Sequence, residues 1–258
     1  MWRPIGQSLQ GPSHVKDDSP CQDSHAVRIV GESGNQILIA CVADGAGSAK
    51  YSDTGSAIAS EAFVERANAF VEVGGNLQQL ERQDVLRWCE EVRGRIEAEA
   101  ANRDCETRQL ATTICVAIVA PDRACFFQIG DGVMVVRRQG VYGVVFWPQS
   151  GEYANSTNFL TSPKYEDHLE FVSIDATFAD VALMTDGLER LALQFDGQTP
   201  HIPFFEPFFR AIRATEDYTG LNAALETFLA SAPVRERSDD DKTLVLASLI
   251  DHEVENAT

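Results

Sequence analysis

No apolar run in this 258-residue chain approaches the ~18 residues that a membrane-spanning helix needs. The N-terminal stretch MWRPIGQSLQGPSH has no long apolar centre, so no signal peptide is expected and a cytoplasmic setting follows. Positive charge is scarce: 21 Lys and Arg stand against 39 Asp and Glu, a formal net charge of -18. That balance excludes the basic footprint of a nucleic-acid binder and disfavours docking on anionic membranes. Six cysteines, at 21, 41, 89, 105, 115 and 125, include no CxxC pair, so a reduced protein without a disulfide or zinc framework is expected. His25, His168, His201 and His252 are spaced too widely for an i,i+4 zinc pair. Ser8, Ser13 and Ser48 lack a nucleophile-elbow context, which leaves acyl-transfer hydrolysis without support. No repeat, low-complexity tract or Pro/Gly/Ser-rich linker divides the chain. A single domain over 1–258 is expected, with its core at about 11–250.

What is present is a 44% apolar fraction, enough for a sizeable core. Residues 25–30 and 37–43 read as strands. The stretch from Thr54 to Val73 has apolar residues at helical spacing and stops at Gly74-Gly75; a second helix runs from Asp84 to about Asn102. Segments 110–120, 123–130, 133–138 and 141–147 are rich in Val, Ile and Phe and read as consecutive antiparallel strands. The polar stretch 148–168 is too long for a simple connector and reads as a long loop or flap. Strands at 170–174 and 181–185 follow, then helical segments near 187–195, 204–214 and 219–231, and a last strand at 243–250. Strands and helices interleave without a βαβ rhythm, which predicts an α+β fold. Two packed sheets with helices outside would accommodate this many apolar strands.

Three apolar runs end abruptly in Asp-Gly: LIACVADG at Asp44-Gly45, CFFQIGDG at Asp131-Gly132 and VALMTDG at Asp186-Gly187. In a fourth place Asp239, Asp240 and Asp241 precede the apolar run KTLVLASL. A carboxylate at the tip of a buried strand is costly unless something positive meets it. Several such tips suggest one shared site, and hard oxygen donors suit Mg²⁺ or Mn²⁺. Asp-Gly is also a favoured turn, and Asp196-Gly197 is read as that alone.

These motifs together resemble the metal-dependent protein phosphatases of the PPM (type 2C) family. The elements appear in family order: PCQD at 20–23, VADGAGS at 42–48, LATTICVAIV at 110–119, QIGDG at 128–132, LMTDGLERLAL at 183–193 and DDDKTLVLASL at 239–249. GEYANSTNFLT at 151–161 and HIPFFEPFF at 201–209 are similar to a narrower bacterial, PphC-like subgroup. The resemblance implies a four-layer α-β-β-α sandwich, two mostly antiparallel sheets flanked by helices. It also implies a serine/threonine protein phosphatase that uses two Mn²⁺ or Mg²⁺ ions. Asp44 would bridge the two metals, with the Gly45 carbonyl on one and Asp186 and Asp240 on the other. Asp131 would help hold a weaker third ion, and Asp23 would accept hydrogen bonds from metal-bound water. The implied partners are phosphoproteins made by serine/threonine kinases, and nothing in the sequence requires more than a monomer.

Two positions depart from the family pattern. Where many members place a histidine after the first Asp-Gly, this chain has Ala46, which cannot transfer a proton. The phosphate-binding arginine ahead of the QD-type aspartate is absent, and His14 and Lys16 are the cationic candidates in its place. Thr112-Thr113 are read as packing and backbone capping, and HIPFFEPFF as core or an interaction surface. Two other readings stay open: a haloacid-dehalogenase-like phosphohydrolase, because 239–243 contains a DxDxT string, and a degenerate phosphoprotein-binding module without catalysis.

Overall fold

The apolar runs become strands because both of their faces are covered. A computed structural model describes residues 1–148 and 157–250. In chain order the elements are β1 (Trp2–Leu9), α1 (Pro12–Lys16), β2 (Ser24–Val30), β3 (Ile37–Ala43), α2 (Ser52–Glu72) and α3 (Arg82–Asn102). Then come β4 (Ile114–Val119), β5 (Arg123–Ile129), β6 (Val133–Arg138), β7 (Val141–Val144), β8 (Glu170–Asp175) and β9 (Asp180–Met184). The last part holds α4 (Glu189–Ala192), β10 (Leu193–Gln194), β11 (Thr199–Pro200), α5 (Ile202–Ala214), α6 (Tyr218–Leu229), α7 (Ala232–Arg235) and β12 (Lys242–Leu249).

Two five-stranded sheets form among the described residues, ordered β1-β12-β9-β6-β7 and β2-β3-β4-β5-β8, with every pairing antiparallel. Strand side chains alternate between faces, and here both faces are apolar. In β3, Leu38, Ala40 and Val42 meet Val181, Leu183, Val245 and Ala247 of the other sheet. Ile39, Cys41 and Ala43 point the opposite way, into a cluster with Phe63, Trp88 and Ile96 of α2 and α3. On the far side, Leu244 and Leu246 of β12 pack with Phe205, Phe209, Leu225 and Val234 of α5, α6 and α7. The result is the expected sandwich: helices, sheet, sheet, helices. Phe63, Phe126 and Phe127 are fully buried, and each contributes about 2–3 kcal/mol of transfer free energy.

Local signals account for the helix ends. Asp84 proves to be the third helical residue of α3, closing a capping box with Glu81, so the helix starts two residues earlier than its apolar pattern suggests. Gly74, at φ +79, follows α2 where a stop was expected. Asp196-Gly197 lies in the turn between β10 and β11, as its sequence implied. The Phe-rich segment is largely core: Phe204, Phe205 and Phe209 are buried.

The structure differs from the sequence reading in three places. The hairpin run is split, because β5 pairs with β4 and β8 while β6 pairs with β7 and β9. The chain leaves one sheet for the other at Gly130, whose φ of +115 turns it away from its former partner. The helix expected over 187–195 is only a 3-10 turn at Asp186–Leu188 and the short α4, because Leu193 already pairs with Pro200. β1 and α1 were not anticipated. The flap expected at 148–168 lies partly outside the described residues. In its described part Leu160 N–H donates to the Thr112 carbonyl at 2.8 Å, and Tyr165–His168 form a 3-10 turn. All six cysteines are free thiols. Among the described residues no helix is long and apolar enough to cross a membrane.

Candidate metal centre

Strand pairing brings the tips together. Met184, at the end of β9, pairs with Leu244 of β12 on one side and Val133 of β6 on the other. Asp186, the Asp239–Asp241 loop and Asp131 therefore emerge at one end of one sheet. Asp44 arrives from the facing sheet at the end of β3. Its main chain is fixed by two threonines: Asp44 N–H donates to Thr113 Oγ1 at 3.0 Å, and its carbonyl accepts from Thr113 N–H at 2.8 Å and Thr112 Oγ1 at 3.1 Å. Both threonines are thus backbone caps. One carboxylate oxygen from each of Asp44, Asp131 and Asp186 lies within 4.8 Å of the other two.

Such a cluster resists ionisation. Burial pushes the Asp44 carboxyl well above the usual range, and the carboxylates of Asp23, Asp186, Asp131 and Asp240 push it further. Asp186 is raised to about 7, by burial first and then by Asp131 and Asp240, although a hydrogen bond with Asp44 opposes this. Burial also raises Asp131, against the opposing effect of the Thr157 hydroxyl, which donates to its Oδ2 at 2.7 Å. Thr157 belongs to the polar segment read as a flap, so part of that segment reaches the site. Asp23 is buried beside the cluster and raised to about 8 by burial, with Thr185 opposing and Asp241 adding to the shift. Thr185 Oγ1 donates to Asp23 Oδ2 at 2.7 Å.

In the acidic loop the carboxylates of Asp240 and Asp241 have different surroundings. Asp240 is exposed and stands outside the converging trio, although its charge acts on Asp44 and Asp186. Its Oδ1 accepts the Asp241 N–H at 2.9 Å, and Lys242 Nζ donates to its carbonyl. Asp241 is only 3% exposed and works as a clamp: it accepts from Gly11 N–H and Gln22 N–H, each at 2.6 Å, and meets His14 Nδ1 at 2.9 Å. The sequence reading missed this residue. Its one signal is its position: it directly precedes the buried Lys242 of β12, two places into the acidic run. Gly187 packs against the same loop so closely that a Cβ there would stand 1.9 Å from the Asp241 carbonyl oxygen.

The cationic candidates face elsewhere. His14 is turned to Asp241, and Lys16 is exposed on the short α1. Ala46 is buried in an apolar cluster with Ala49 and Ala111, against which Phe159 packs. Gly45 N–H donates to the Gln22 carbonyl at 3.1 Å, and Gly45 bridges to Thr112. The DxDxT string leads into β12, with Lys242 and Thr243 already in the strand, instead of following a strand as a haloacid-dehalogenase nucleophile does.

The donor set fits hard divalent cations. It offers carboxylate oxygens from both sheets, packed closely enough that their mutual repulsion calls for a shared positive charge.

Comparison with known proteins agrees with this geometry. A family model described as Protein phosphatase 2C matches residues 10–230. The chain is 38% identical over 251 residues to a protein named Serine/threonine-protein phosphatase 3 from Escherichia coli (strain K12), covering 95% of this chain and 98% of that protein. Among solved structures, a bacterial serine phosphatase superposes with a TM-score of 0.63 at 14% identity, over 98% of this chain and 100% of that one. The serine/threonine phosphatase Stp1 from Staphylococcus aureus gives a TM-score of 0.59 at 13% identity, over 97% and 96%. The chain belongs to the protein phosphatase 2C family.

Proposed function

We propose that the acidic end of the sandwich is the active site of this metal-dependent serine/threonine protein phosphatase. The observation that carries the reading is the convergence of Asp44, Asp131 and Asp186 from both sheets within 4.8 Å. Asp44 and the Gly45 carbonyl would hold one ion, Asp186 and Asp240 would complete a pair with Asp44, and Asp131 would help hold a weaker third. The ions would be Mn²⁺ or Mg²⁺, and when bound they supply a hydroxide at neutral pH and neutralise charge on the phosphoryl oxygens. The chain's own residues then have distinct tasks. Thr112 and Thr113 fix the direction of Asp44, Thr157 orients Asp131, and Asp241 ties α1 and Gln22 to the acidic loop. Asp23, held by Thr185, would accept hydrogen bonds from bound water. His14, held on Asp241, and Lys16, exposed on α1, would be the cations offered to the substrate phosphate. Substrates would be phosphoserine and phosphothreonine proteins, products of serine/threonine kinases in a signalling pair, met by a cytoplasmic monomer.

The test is phosphate release from a phosphothreonine peptide with Mn²⁺ or with Mg²⁺ present, for wild type and Asp186→Asn. Wild type should turn over and the variant should lose at least ~10³-fold. An inactive wild type across both metals would favour a binding module, and equal activity in the two proteins would refute the site.

A further inference from the structure

The acidic end of the sandwich has an apolar neighbour that the phosphoryl chemistry does not use. The Phe-rich segment is not wholly consumed by the core: α5 presents Pro203, Pro207 and the half-buried Phe208 to a surface cavity of about 350 Å³. Leu191 of α4 and Val234 of α7 also line it. Phe208 is braced, because its ring meets those of Phe204 and Phe228 edge-on, with centroids 5.7 and 5.0 Å away. A wall held in this way gives up little side-chain freedom when something packs on it.

The cavity is carried on the chain segments that bear the carboxylates. Leu191 stands five residues after Asp186, and Arg237, which also lines the cavity, stands two residues before Asp239. The groove therefore lies beside the acidic end, and a polypeptide whose phosphoryl group is delivered there passes close to it. Two features give the groove a peptide's chemistry. Pro207 has no N–H, so the Pro203 carbonyl, four residues back on the same face of α5, lacks its helical donor and can accept an N–H from outside the helix. Arg237 is exposed, as are Arg190 on α4 and Arg235 on α7, and none of the three forms an ion pair among the described residues. In a chain of net charge -18 carboxylates are plentiful, so unpaired arginines gathered here suit an acid that the chain does not supply. Repulsion between two such acidic chains disfavours a second copy as its source.

We infer that this groove docks the segment of the phosphoprotein substrate next to its phosphoresidue. A leucine-sized apolar side chain of that segment packs among Leu191, Phe204, Phe208 and Val234, and a neighbouring glutamate or aspartate meets Arg237. This docking rests on the phosphatase reading and narrows its substrates to phosphoresidues that have an apolar and an acidic neighbour. Burying one leucine side chain supplies about a tenfold preference, and an exposed ion pair adds about threefold. Contacts made away from the reacting phosphoryl group hold ground state and transition state alike, so the preference appears in KM and leaves kcat unchanged.

The test compares two phosphothreonine peptides, one flanked on both sides by Leu and Glu and one by Ala and Gln, with p-nitrophenyl phosphate as a substrate that has no flanks. With Mn²⁺-loaded wild type the Leu/Glu peptide should have a KM ~10-fold lower at equal kcat. Phe208→Ala should erase most of that advantage, measured relative to p-nitrophenyl phosphate so that any loss of folded enzyme cancels. Arg237→Glu should cost the Leu/Glu peptide about threefold, and a Leu/Lys peptide should recover the loss. In Mg²⁺-loaded protein the unphosphorylated Leu/Glu peptide should shift the ¹H–¹⁵N signals of Leu191, Phe208 and Arg237, and an unphosphorylated Ala/Gln peptide should not. Equal KM values for the two phosphopeptides, or unmoved signals at those amides, would overturn the docking. So would a dimer in sedimentation that Phe208→Ala dissociates, because a second copy would then occupy the groove. An inactive wild type would defeat the phosphatase reading, and the spectra would still decide whether the groove takes the peptide.

Discussion

Asp186→Asn should make the metal-free protein more stable while removing its activity. The ordinary aspartate value is 3.8, and in the folded protein Asp186 is held at about 7, by burial first and by Asp131 and Asp240 next. Between those values the unfolded chain has released a proton that the folded chain still binds. Folded stability therefore falls as pH rises through the window from 3.8 to about 7. About three pH units at 1.36 kcal/mol each gives a ceiling of ~4 kcal/mol. Asp131 raises both Asp186 and Asp44, and Asp186 raises Asp44, so the repulsion is shared; one substitution recovers only part of it, and ~2 kcal/mol is expected above pH 7. The assay is urea unfolding with a chelator present, at pH 5 and pH 8, for wild type and Asp186→Asn. The variant should gain at pH 8 and gain much less at pH 5. Adding Mn²⁺ should reverse the order, because only wild type keeps the ligand. A variant equally stable or less stable at pH 8 would refute the claim that the site is a store of repulsion.

Three further outcomes follow from other parts of the fold. Asp180 is fully buried between Arg137 and Arg213, with Ser248 Oγ donating to its Oδ1 at 2.6 Å. Asp180→Ala should cost about 2–4 kcal/mol in the denaturant midpoint, since two guanidinium groups lose their partner. Gly187→Ala should raise the Mn²⁺ concentration for half-maximal activity ~10-fold by displacing the acidic loop, while the far-UV circular dichroism stays unchanged. Thr157→Val should weaken the weakest Mn²⁺-binding step seen by calorimetry ~10-fold, leaving the tighter steps alone.

The strands most legible in the sequence are those buried on both faces. β3, β4 and β5 read as unbroken apolar runs, and the long amphipathic α2 and α3 were equally clear. β1 was hidden because its sequence WRPIGQSL carries a proline and a glycine and buries only Trp2 and Ile5. It is an edge strand, where a missing ladder donor is tolerated. The membership of strands in sheets was also out of reach: nothing local in QIGDG says that the chain changes sheets there. At the site, carboxylates ending apolar runs located Asp44, Asp131 and Asp186 before any coordinates. The three consecutive aspartates could not be told apart in that way. The strand's alternating directions and the N–H groups of Gly11 and Gln22 single out Asp241, and those groups lie more than two hundred residues away in sequence. His25 looked idle because its partner Ser8 comes from another strand.

The place of β12 in its sheet has a consequence for timing. β12 is made after every other described strand, yet it lies between β1 and β9 in the interior of the sheet. Until it inserts, β1 has no strand to pair with and the acidic loop has no anchor. Asp44 after β3 and Asp186 after β9 would be made early and left facing each other across an open seam. A product truncated before Lys242 should therefore lack the closed acidic end of the sandwich and fail to release phosphate from a phosphothreonine peptide.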